Sequence, residues 1–386
     1  MSGSLIAISV DLKAIDHNIK QVRRLLKPET RIMAVVKANA YGHGILEVAR
    51  QALKSGAAYL GVVSAQEALW LRKKGILRPI VVLGAVAKED IKSLIKEKVA
   101  MAVYNQESYR MISRTAFILN KRAIIWLKIE TGINRLGFSI DGNNNGVIKI
   151  VKRIAAKSRY LQLEGIYSHL ASVEELNKSY TSDQILTFER ILKKIEDLGV
   201  KIPIASLAAS AAASCLPESR FNCVRIGIEM YGLWPSRGVE LWCKRSKKTR
   251  NFKLKPALSY KTKLVQVKRV KTGDFIGYGC SFQAPRAMTI GVIPVGYYEG
   301  LPRSLSNMGF ALLKGAVVPI IGRICMNMTI LDLSRRPRAK VGDEIVLIGK
   351  SKNKTITATD VADWANTINY EITTRIPEHI ERVYKT

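Results

Sequence analysis

Cysteine and histidine are scarce in this chain. Its 386 residues include five cysteines and four histidines. The cysteines are odd in number and show no metal-ligand spacing, which does not fit a disulfide framework or a metal site. We therefore expect no metal, a cytoplasmic location and reduced thiols at Cys215, Cys223, Cys243, Cys280 and Cys325.

Long apolar runs are also lacking. No uninterrupted apolar stretch approaches the roughly 20 residues that a membrane span needs. The first residues show no basic segment followed by an apolar core and a small-residue cleavage site. We expect neither a membrane association nor a secretory signal.

Acidic residues are few relative to basic ones. Lysine and arginine number 62 against 31 acidic residues, which gives a formal net charge of +31. Such a charge is typical of proteins that bind nucleic acid or an anionic membrane, but it also arises from a lysine-rich surface without any partner. The basic residues are spread along the chain with one dense cluster, residues 243–250, and no nucleic-acid-binding motif accompanies them. We therefore expect no nucleic-acid partner.

The hydrophobic pattern predicts an α/β fold with two domains. Apolar strand-like runs alternate with amphipathic helical stretches over the first 230 or so residues. Eight such strands, each returning through a helix, favour a (β/α)8 barrel. An open doubly wound sheet fits less well, since no glycine-rich phosphate fingerprint opens the first unit. The predicted strands lie near 32–37, 59–63, 80–84, 101–104, 124–129, 163–168, 203–206 and 223–228.

A second domain follows the barrel. Short alternating apolar runs broken by turns predict a mainly-β structure from Pro256 to Leu347, with a late helix over 357–367 that Thr357 caps. We place the barrel at 11–245 and the mainly-β domain at 246–386. The surplus strand 4–10 is assigned to this second domain.

Lys37 directly follows the first barrel strand, an apolar run that ends at Val36. A lysine at the end of a buried strand is usually one whose ammonium reaches solvent. Desolvation, however, lowers the pKa of a lysine and frees its amine to form a Schiff base. The small residues after Lys37 would let a bulky cofactor lie against the backbone.

Other polar residues fall at the carboxyl ends of predicted strands, where barrels carry their working groups. Taken singly, each has a plain explanation: His169 as a satisfied core histidine, Ser210 as a helix N-cap. Together they would require several coincidences on one face of the barrel. The set consists of Lys37, Lys128, Arg135, His169, Ser210, Arg225 and Gly227.

The sequence resembles the alanine racemase family of pyridoxal-phosphate enzymes of fold type III, over nearly its full length. In the barrel the motifs that carry the resemblance are VKANAYGHG (36–44), KIETGINRLG (128–137), EGIYSH (164–169), VRIG (224–227) and MYG (230–232). In the second domain they are GYG (277–279), GYYEGLPR (296–303), GRICMN (322–327) and NYE (369–371).

The resemblance implies a two-base racemisation with pyridoxal 5'-phosphate as cofactor. Lys37 would hold the cofactor as a Schiff base and then act as one acid/base group. Tyr278 would act on the opposite face and would be supplied by the partner subunit of a homodimer. An unperturbed tyrosine ionises near pH 10, so Tyr278 would need cationic neighbours, which His169 and Arg225 are expected to provide.

The resemblance also places Arg225 at the pyridine nitrogen of the cofactor. Because a guanidinium does not give up its proton, that nitrogen would stay unprotonated and the ring would be a weaker electron sink. This favours reprotonation over decarboxylation or transamination.

The remaining implied roles concern binding. Phosphate would be bound by Tyr41, Ser210, Tyr370 and the backbone at Gly227 and Ile228. Arg135 would contact the cofactor phenolate and the substrate carboxylate, which the Met326 amide would also hold, and Tyr297 would line the substrate pocket. Lys128 corresponds to a position that is carbamylated in some relatives.

Departures from the family pattern leave the substrate open. Asn327 and Glu130 stand where relatives more often have aspartate, Ala209 where they have asparagine and Ile133 where they have methionine. We expect L-alanine to D-alanine conversion, supplying cell-wall peptidoglycan. The alternatives are a racemase for serine or a basic amino acid, and a basic binding protein on a degenerate racemase scaffold.

Overall fold

The structure is a computed structural model that describes residues 4–139, 145–157, 159–175, 177–247 and 249–386. It divides into two compact units. The barrel unit comprises residues 15–40 and 45–254, and the β unit comprises the chain up to Ala14, residues 41–44 and residues 255–386. Lys248, a member of the basic cluster, lies outside the described residues.

The elements follow one another in a regular order. The strands are β1 (Ile6–Asp11), β2 (Arg31–Val35), β3 (Tyr59–Val62), β4 (Ile80–Val82), β5 (Ala100–Val103), β6 (Ala123–Lys128), β7 (Leu161–Tyr167), β8 (Ile204–Ser206), β9 (Cys223–Ile226), β10 (Leu258–Lys263), β11 (Gln266–Val270), β12 (Met288–Ile293), β13 (Phe310–Leu313), β14 (Ala316–Ile321), β15 (Thr329–Asp332), β16 (Glu344–Ser351), β17 (Lys354–Ile356) and β18 (Arg382–Lys385). The helical segments are α1 (Leu12–Arg23), α2 (Lys37–Tyr41), α3 (Ile45–Lys54), α4 (Ala65–Lys73), α5 (Lys88–Lys96), α6 (Gln106–Ile118), α7 (Asn145–Ala156), α8 (Ser179–Glu196), α9 (Ser210–Cys215), α10 (Arg237–Arg245), α11 (Ala358–Ala365) and α12 (Asn369–Thr374).

The barrel unit contains eight parallel strands in the order β8-β7-β6-β5-β4-β3-β2-β9. β9 pairs with β2 in register, Met33 opposite Arg225. Just beyond β8, the Arg225 amide donates to the Ala208 carbonyl at 3.0 Å, which joins the last strand to the end of β8. The predicted (β/α)8 barrel is therefore confirmed.

Large side chains fill the barrel interior. Trp126 on β6 is fully buried and packs edge-on against Tyr59 and Tyr167. Its indole N–H donates to the Glu164 carboxylate at 2.8 Å, so the polar atom of this core residue is satisfied. A packed interior leaves the strand ends as the place for chemistry.

The β unit is built on a mainly antiparallel sheet in the order β11-β12-β15-β14-β13-β16-β10-β1-β18, with β17 beside β16. β1, the strand left over from the barrel, pairs antiparallel with β10 and parallel with β18. The late helix α11 begins after Thr357, whose hydroxyl accepts from the Asp360 amide at 3.0 Å, as the sequence predicts. The mainly-β character of the second domain is confirmed.

The sequence pattern did not reveal α7, α9, α10 or α12. α10 lies where charged residues crowd, and its buried face consists of Val239 and Cys243, four residues apart. Ser236 caps it by accepting from the Val239 amide at 3.2 Å. Two apolar positions are too few for a recognisable helical period. Across the described residues, no helix is both long and apolar enough to cross a membrane.

Candidate active site

Lys37 begins an unusual turn at the end of β2. Residues 38–41 have φ values of 51–53°, so α2 is a single left-handed turn. Left-handed backbone costs free energy for residues other than glycine, and such strain persists where surrounding structure holds it. Burial lowers the pKa of Lys37, the charge of Arg135 lowers it further, and Glu67 opposes both.

Glu67 ties this turn to the neighbouring βα unit. One carboxylate oxygen accepts from the Ala38 amide at 2.6 Å, and the other accepts from the Val63 and Ser64 amides at 2.9 and 3.3 Å. Glu67 also closes the capping box that starts α4. The residue after Lys37 is therefore anchored by a carboxylate that belongs to a helix N-terminus.

Two more cations stand at the end of β6. Burial, together with the charges of Arg135 and Arg225, lowers the pKa of Lys128 to about 8. The Lys128 ammonium lies 5.5 Å from the centre of the Tyr167 ring. Glu130 organises the loop that leads to Arg135, accepting from the amides of Gly132 at 2.6 Å and Arg135 at 3.1 Å.

Arg225 on β9 is 4% exposed. Its Nη1 donates to the Ser206 carbonyl and hydroxyl, both at 2.8 Å, and its Nη2 donates to the Ser168 carbonyl at 2.7 Å and the Leu207 carbonyl at 3.1 Å. In the part of the chain that the structure describes, no carboxylate forms an ion pair with it. The guanidinium is thus fixed by neutral acceptors and keeps its positive field.

His169 at the end of β7 is neutral at pH 7. Burial lowers its pKa to about 3, and the charges of Arg225, Arg135, Lys128 and Lys37 act in the same direction. Arg225 Nη2 lies 3.3 Å from His169 Nδ1, which as the acceptor leaves the ring proton on Nε2. Of the two groups expected to provide positive charge, only Arg225 is a cation at that pH.

Ser210, Gly227 and Ile228 lie together. Ser210 is the first residue of α9 and is 5% exposed. Its hydroxyl accepts from the Gly227 amide at 2.9 Å, so its own proton remains available to donate. Ile228 begins the 3-10 turn Ile228–Tyr231. Ala209, directly before Ser210, offers no side-chain cap to α9.

Tyr41 and Tyr370 form a second group, within the β unit. Their ring centres are 6.0 Å apart. Burial raises the pKa of Tyr41 to about 12, so its phenol is a neutral donor at physiological pH. Gly42 follows with a φ of +83°, and a Cβ at this position would overlap the Thr373 carbonyl oxygen. Arg382 holds the same segment by donating to the Gly42 carbonyl at 3.0 Å.

Tyr278, also in the β unit, is 69% exposed. It starts a 3-10 turn between two glycines, Gly277 and Gly279, that both have positive φ. The Arg323 guanidinium lies so close to Gly279 that a Cβ there would be 2.6 Å from it. The turn therefore presents the phenol on the surface of this unit.

Tyr297 and Met326 lie on two segments joined through the backbone. The Tyr297 amide donates to the Cys325 carbonyl at 3.1 Å. Asn327 donates from Nδ2 to Glu299 at 2.7 Å, and the other oxygen of Glu299 accepts from the Gly296 amide at 2.8 Å. With aspartate at position 327, two carboxylates would face each other, so the amide there matches its partner.

The structure brings five of the seven sequence-predicted barrel residues into one electrostatic group, while Ser210 and Gly227 bond each other. Electrostatic interactions link His169 to Lys37, Lys128, Arg135 and Arg225. Such a group, with Glu67 and Glu130 as its acidic neighbours, is suited to a ligand that carries anionic groups. Met326, Tyr278, Tyr297 and the pair of Tyr41 and Tyr370 are placed in the β unit.

Sequence reasoning missed Glu67 and Glu299. The signal for Glu67 was present, because Ser64 and Glu67 have the spacing of a capping box. The contact from Glu67 to the Ala38 amide crosses 29 residues, and no local pattern reveals it. Glu299 lies within the GYYEGLPR motif, but its bond to Asn327, 28 residues away, has no local signal.

Family models match both parts of the chain. "Alanine racemase, N-terminal domain" matches residues 10–235, and "Alanine racemase, C-terminal domain" matches residues 257–384. The chain is 37% identical over 379 residues to an alanine racemase of Desulfosudis oleivorans, which covers 97% of this chain and 95% of the relative.

Solved structures give the same result. The alanine racemase from D-cycloserine-producing Streptomyces lavendulae superposes with a TM-score of 0.92 at 31% identity, covering 100% of this chain and 98% of that one. The Bartonella henselae alanine racemase, with covalently bound pyridoxal phosphate, gives a TM-score of 0.85 at 26% identity and covers 99% and 100%.

Proposed function

The chain belongs to the alanine racemase family, and from this premise we propose that it interconverts L-alanine and D-alanine with pyridoxal 5'-phosphate as its cofactor. The observation that carries the proposal is the partly buried amine of Lys37. Burial and the charge of Arg135 lower its pKa, and both Lys37 and the buried, fixed guanidinium of Arg225 act on the pKa of His169.

The residues present fit this cofactor. An amine with a lowered pKa is the group that bonds an aldehyde. Hydroxyls and backbone amides are the donors that a phosphate needs. Tyr41, Tyr370, Ser210 and the backbone at Ile228 would offer them, and the Gly227 amide would hold the Ser210 hydroxyl in place. A relative of this chain is named with covalently bound pyridoxal phosphate, which supports the same assignment.

When bound, the cofactor supplies an electron-withdrawing ring that makes the proton on the substrate Cα removable. Lys37 Nζ would hold the cofactor and then exchange a proton with Cα on one face. Tyr278 Oη would do so on the other face. Two groups are needed because a single one returns the proton to the side that it left.

Arg225 would set the type of reaction. Its Nη atoms are committed to Ser206, Ser168 and Leu207, so the side chain cannot swing away. Because a guanidinium gives up no proton, Arg225 would leave the ring nitrogen of a bound cofactor unprotonated. Limited electron withdrawal then favours return of the proton over loss of carbon dioxide or transfer of the amino group.

Arg135 and the Met326 amide would bind the substrate carboxylate, with Tyr297 beside the side-chain pocket. Glu130 would fix Arg135 through the backbone bond at 3.1 Å. Lys128, with a pKa of about 8, would carry a reduced charge near Arg135, or its neutral amine would bond carbon dioxide and lose a proton to form a carbamate.

The exposure of Tyr278 supports a homodimer. A reactive phenol that is 69% exposed in one chain has no dry surroundings of its own. We infer that a second copy receives it, so each active site uses Lys37 of one subunit and Tyr278 of the other. The product, D-alanine, would serve peptidoglycan synthesis, and the enzyme would act in the cytoplasm.

Two measurements test the proposal. The purified protein should show a visible absorption band from the bound cofactor, which Lys37→Ala should abolish and the matched surface variant Lys92→Ala should leave unchanged. Chiral chromatography of reactions with alanine, serine and lysine should show racemisation of alanine most rapidly.

Other results would contradict the proposed cofactor or the proposed substrate. A colourless protein that takes up no added cofactor would contradict the proposal and favour the binding alternative. Binding to random DNA that survives about 0.2 M salt would support that alternative further, because non-specific contacts weaken steeply with salt. Faster turnover of serine or lysine would reassign the substrate.

A further inference from the structure

Two cysteines of the barrel unit lie side by side. The Sγ atoms of Cys215, at the end of α9, and Cys243, on α10, are 3.0 Å apart. A disulfide bond has an S–S length of about 2.05 Å, so closure needs a movement of about 1 Å. Across the described ranges no other two cysteine sulfurs come within hydrogen-bonding distance, and Cys215 and Cys243 are both thiols here.

The two sulfurs differ in access. Cys215 is partly exposed, whereas Cys243 is 2% exposed. A reagent in solution can therefore reach Cys215 first, with Cys243 behind it. The hydrogen bond between the two sulfurs raises the pKa of Cys215 and lowers that of Cys243, so the attacking role of Cys215 rests on its access and the resolving role of Cys243 on its position behind it.

The surroundings connect this pair to the proposed cofactor site. Cys215 ends the six-residue helix that Ser210 begins. Its neighbour Ser214 donates to the buried Glu229 at 2.7 Å, and Glu229 follows Gly227 and Ile228. A covalent bond at Cys215 would fix the far end of the helix that carries Ser210.

We propose that Cys215 and Cys243 are a redox-sensitive dithiol that forms a reversible intrachain disulfide, which tethers α9 to α10. The oxidant is a small-molecule disulfide such as oxidised glutathione. The Cys215 sulfur attacks one of its sulfurs and displaces the first glutathione. The Cys243 sulfur then attacks the Cys215 sulfur and displaces the second. The protein loses two hydrogens, and the oxidant gains them as two thiols.

The test uses the cofactor-loaded enzyme with Cys280→Ser and Cys325→Ser, which leaves Cys215, Cys223 and Cys243 as thiols. After treatment with oxidised glutathione, thiol titration in denaturant should find one thiol instead of three. The intact mass should fall by two hydrogens. Peptide mapping should show Cys215 joined to Cys243, and dithiothreitol should reverse the change.

Single variants separate the two roles. In this background, Cys243→Ser should trap a lasting glutathione adduct on Cys215, because no second thiol resolves it. Cys215→Ser should take up no glutathione, because Cys243 is buried. Three thiols remaining in the parent, stable adducts on both cysteines, or a bond to Cys223 would each overturn the proposal.

The tether has its own readout. Amide hydrogen exchange over residues 210–215 should slow in the oxidised form and recover on reduction, since a crosslink restricts local opening. Exchange that does not change on oxidation would refute the tether. Thiol titration, mass and hydrogen exchange do not depend on racemase activity. A negative result in them would therefore leave the proposed function untouched.

Discussion

Replacing Glu67 with alanine tests how the Lys37 turn is held. The substitution removes the acceptor of three backbone bonds, at 2.6, 2.9 and 3.3 Å. Hydrogen bonds to a charged group contribute about 1.5–3 kcal/mol each. Because Glu67 is partly exposed, water that hydrogen-bonds the freed amides in the variant offsets part of the lost stability. We expect the free energy of unfolding to fall by about 2–3 kcal/mol.

Urea unfolding followed by circular dichroism measures the loss, and Glu47→Ala is the matched control. Glu47 is also partly exposed, and among the described residues its carboxylate bonds only the Arg50 side chain, at 2.9 Å. Such a surface pair contributes about 0.5 kcal/mol or less. Loss of Glu67 should also lower the pKa of Lys37 further, because Glu67 is the group that raises it. If Glu67→Ala proved no less stable than Glu47→Ala, the carboxylate would not be the anchor of the turn.

Two further predictions concern pH and packing. The pKa of His169 is about 3 in the folded chain against about 6.5 when unfolded, so below pH 6.5 the unfolded state binds the extra proton and stability falls. Between pH 6.5 and 4.5 the free energy of unfolding of the wild type should fall by about 1–3 kcal/mol more than that of His169→Gln, as measured by urea unfolding at each pH. If the free energy of unfolding fell equally with pH in both proteins, the buried neutral ring would be contradicted. Gly42→Ala should lower the free energy of unfolding by more than about 3 kcal/mol. Gly56 also has positive φ, +98°, but no described atom lies within 4 Å of a Cβ there, so Gly56→Ala should lower it by about 1 kcal/mol. Similar losses of stability in the two glycine variants would show that the Thr373 carbonyl moves aside for the new methyl group.

The barrel and the β unit could be predicted because their signals are local. Apolar runs bounded by helical periods gave eight strands, and Thr357 with Asp360 marked the start of α11. The working residues at strand ends followed from the fold, since parallel strands end on one face. α10 could not be predicted in this way, because a helix with only two buried positions shows no recognisable apolar period.

Long-range contacts set the other limit. The left-handed turn after Lys37 contains Ala38 and Ala40, residue types that rarely adopt positive φ, so the sequence gives no sign of it there. The neutral state of His169 depends on burial and on four cations from separate parts of the barrel unit, Lys37, Lys128, Arg135 and Arg225. The Tyr41–Gly44 segment belongs to the β unit because Arg382 and the α12 backbone meet it, more than 300 residues away in sequence.

The most direct test of the two-base account is Cα proton exchange by Tyr278→Phe in deuterated water. General acid/base groups contribute about 10²–10⁴-fold to a rate. We predict that the variant keeps its cofactor absorption and its exchange with one enantiomer of alanine, while exchange with the other falls by at least about 100-fold and racemisation falls with it. Equal exchange with both enantiomers, at near wild-type rates, would contradict the account.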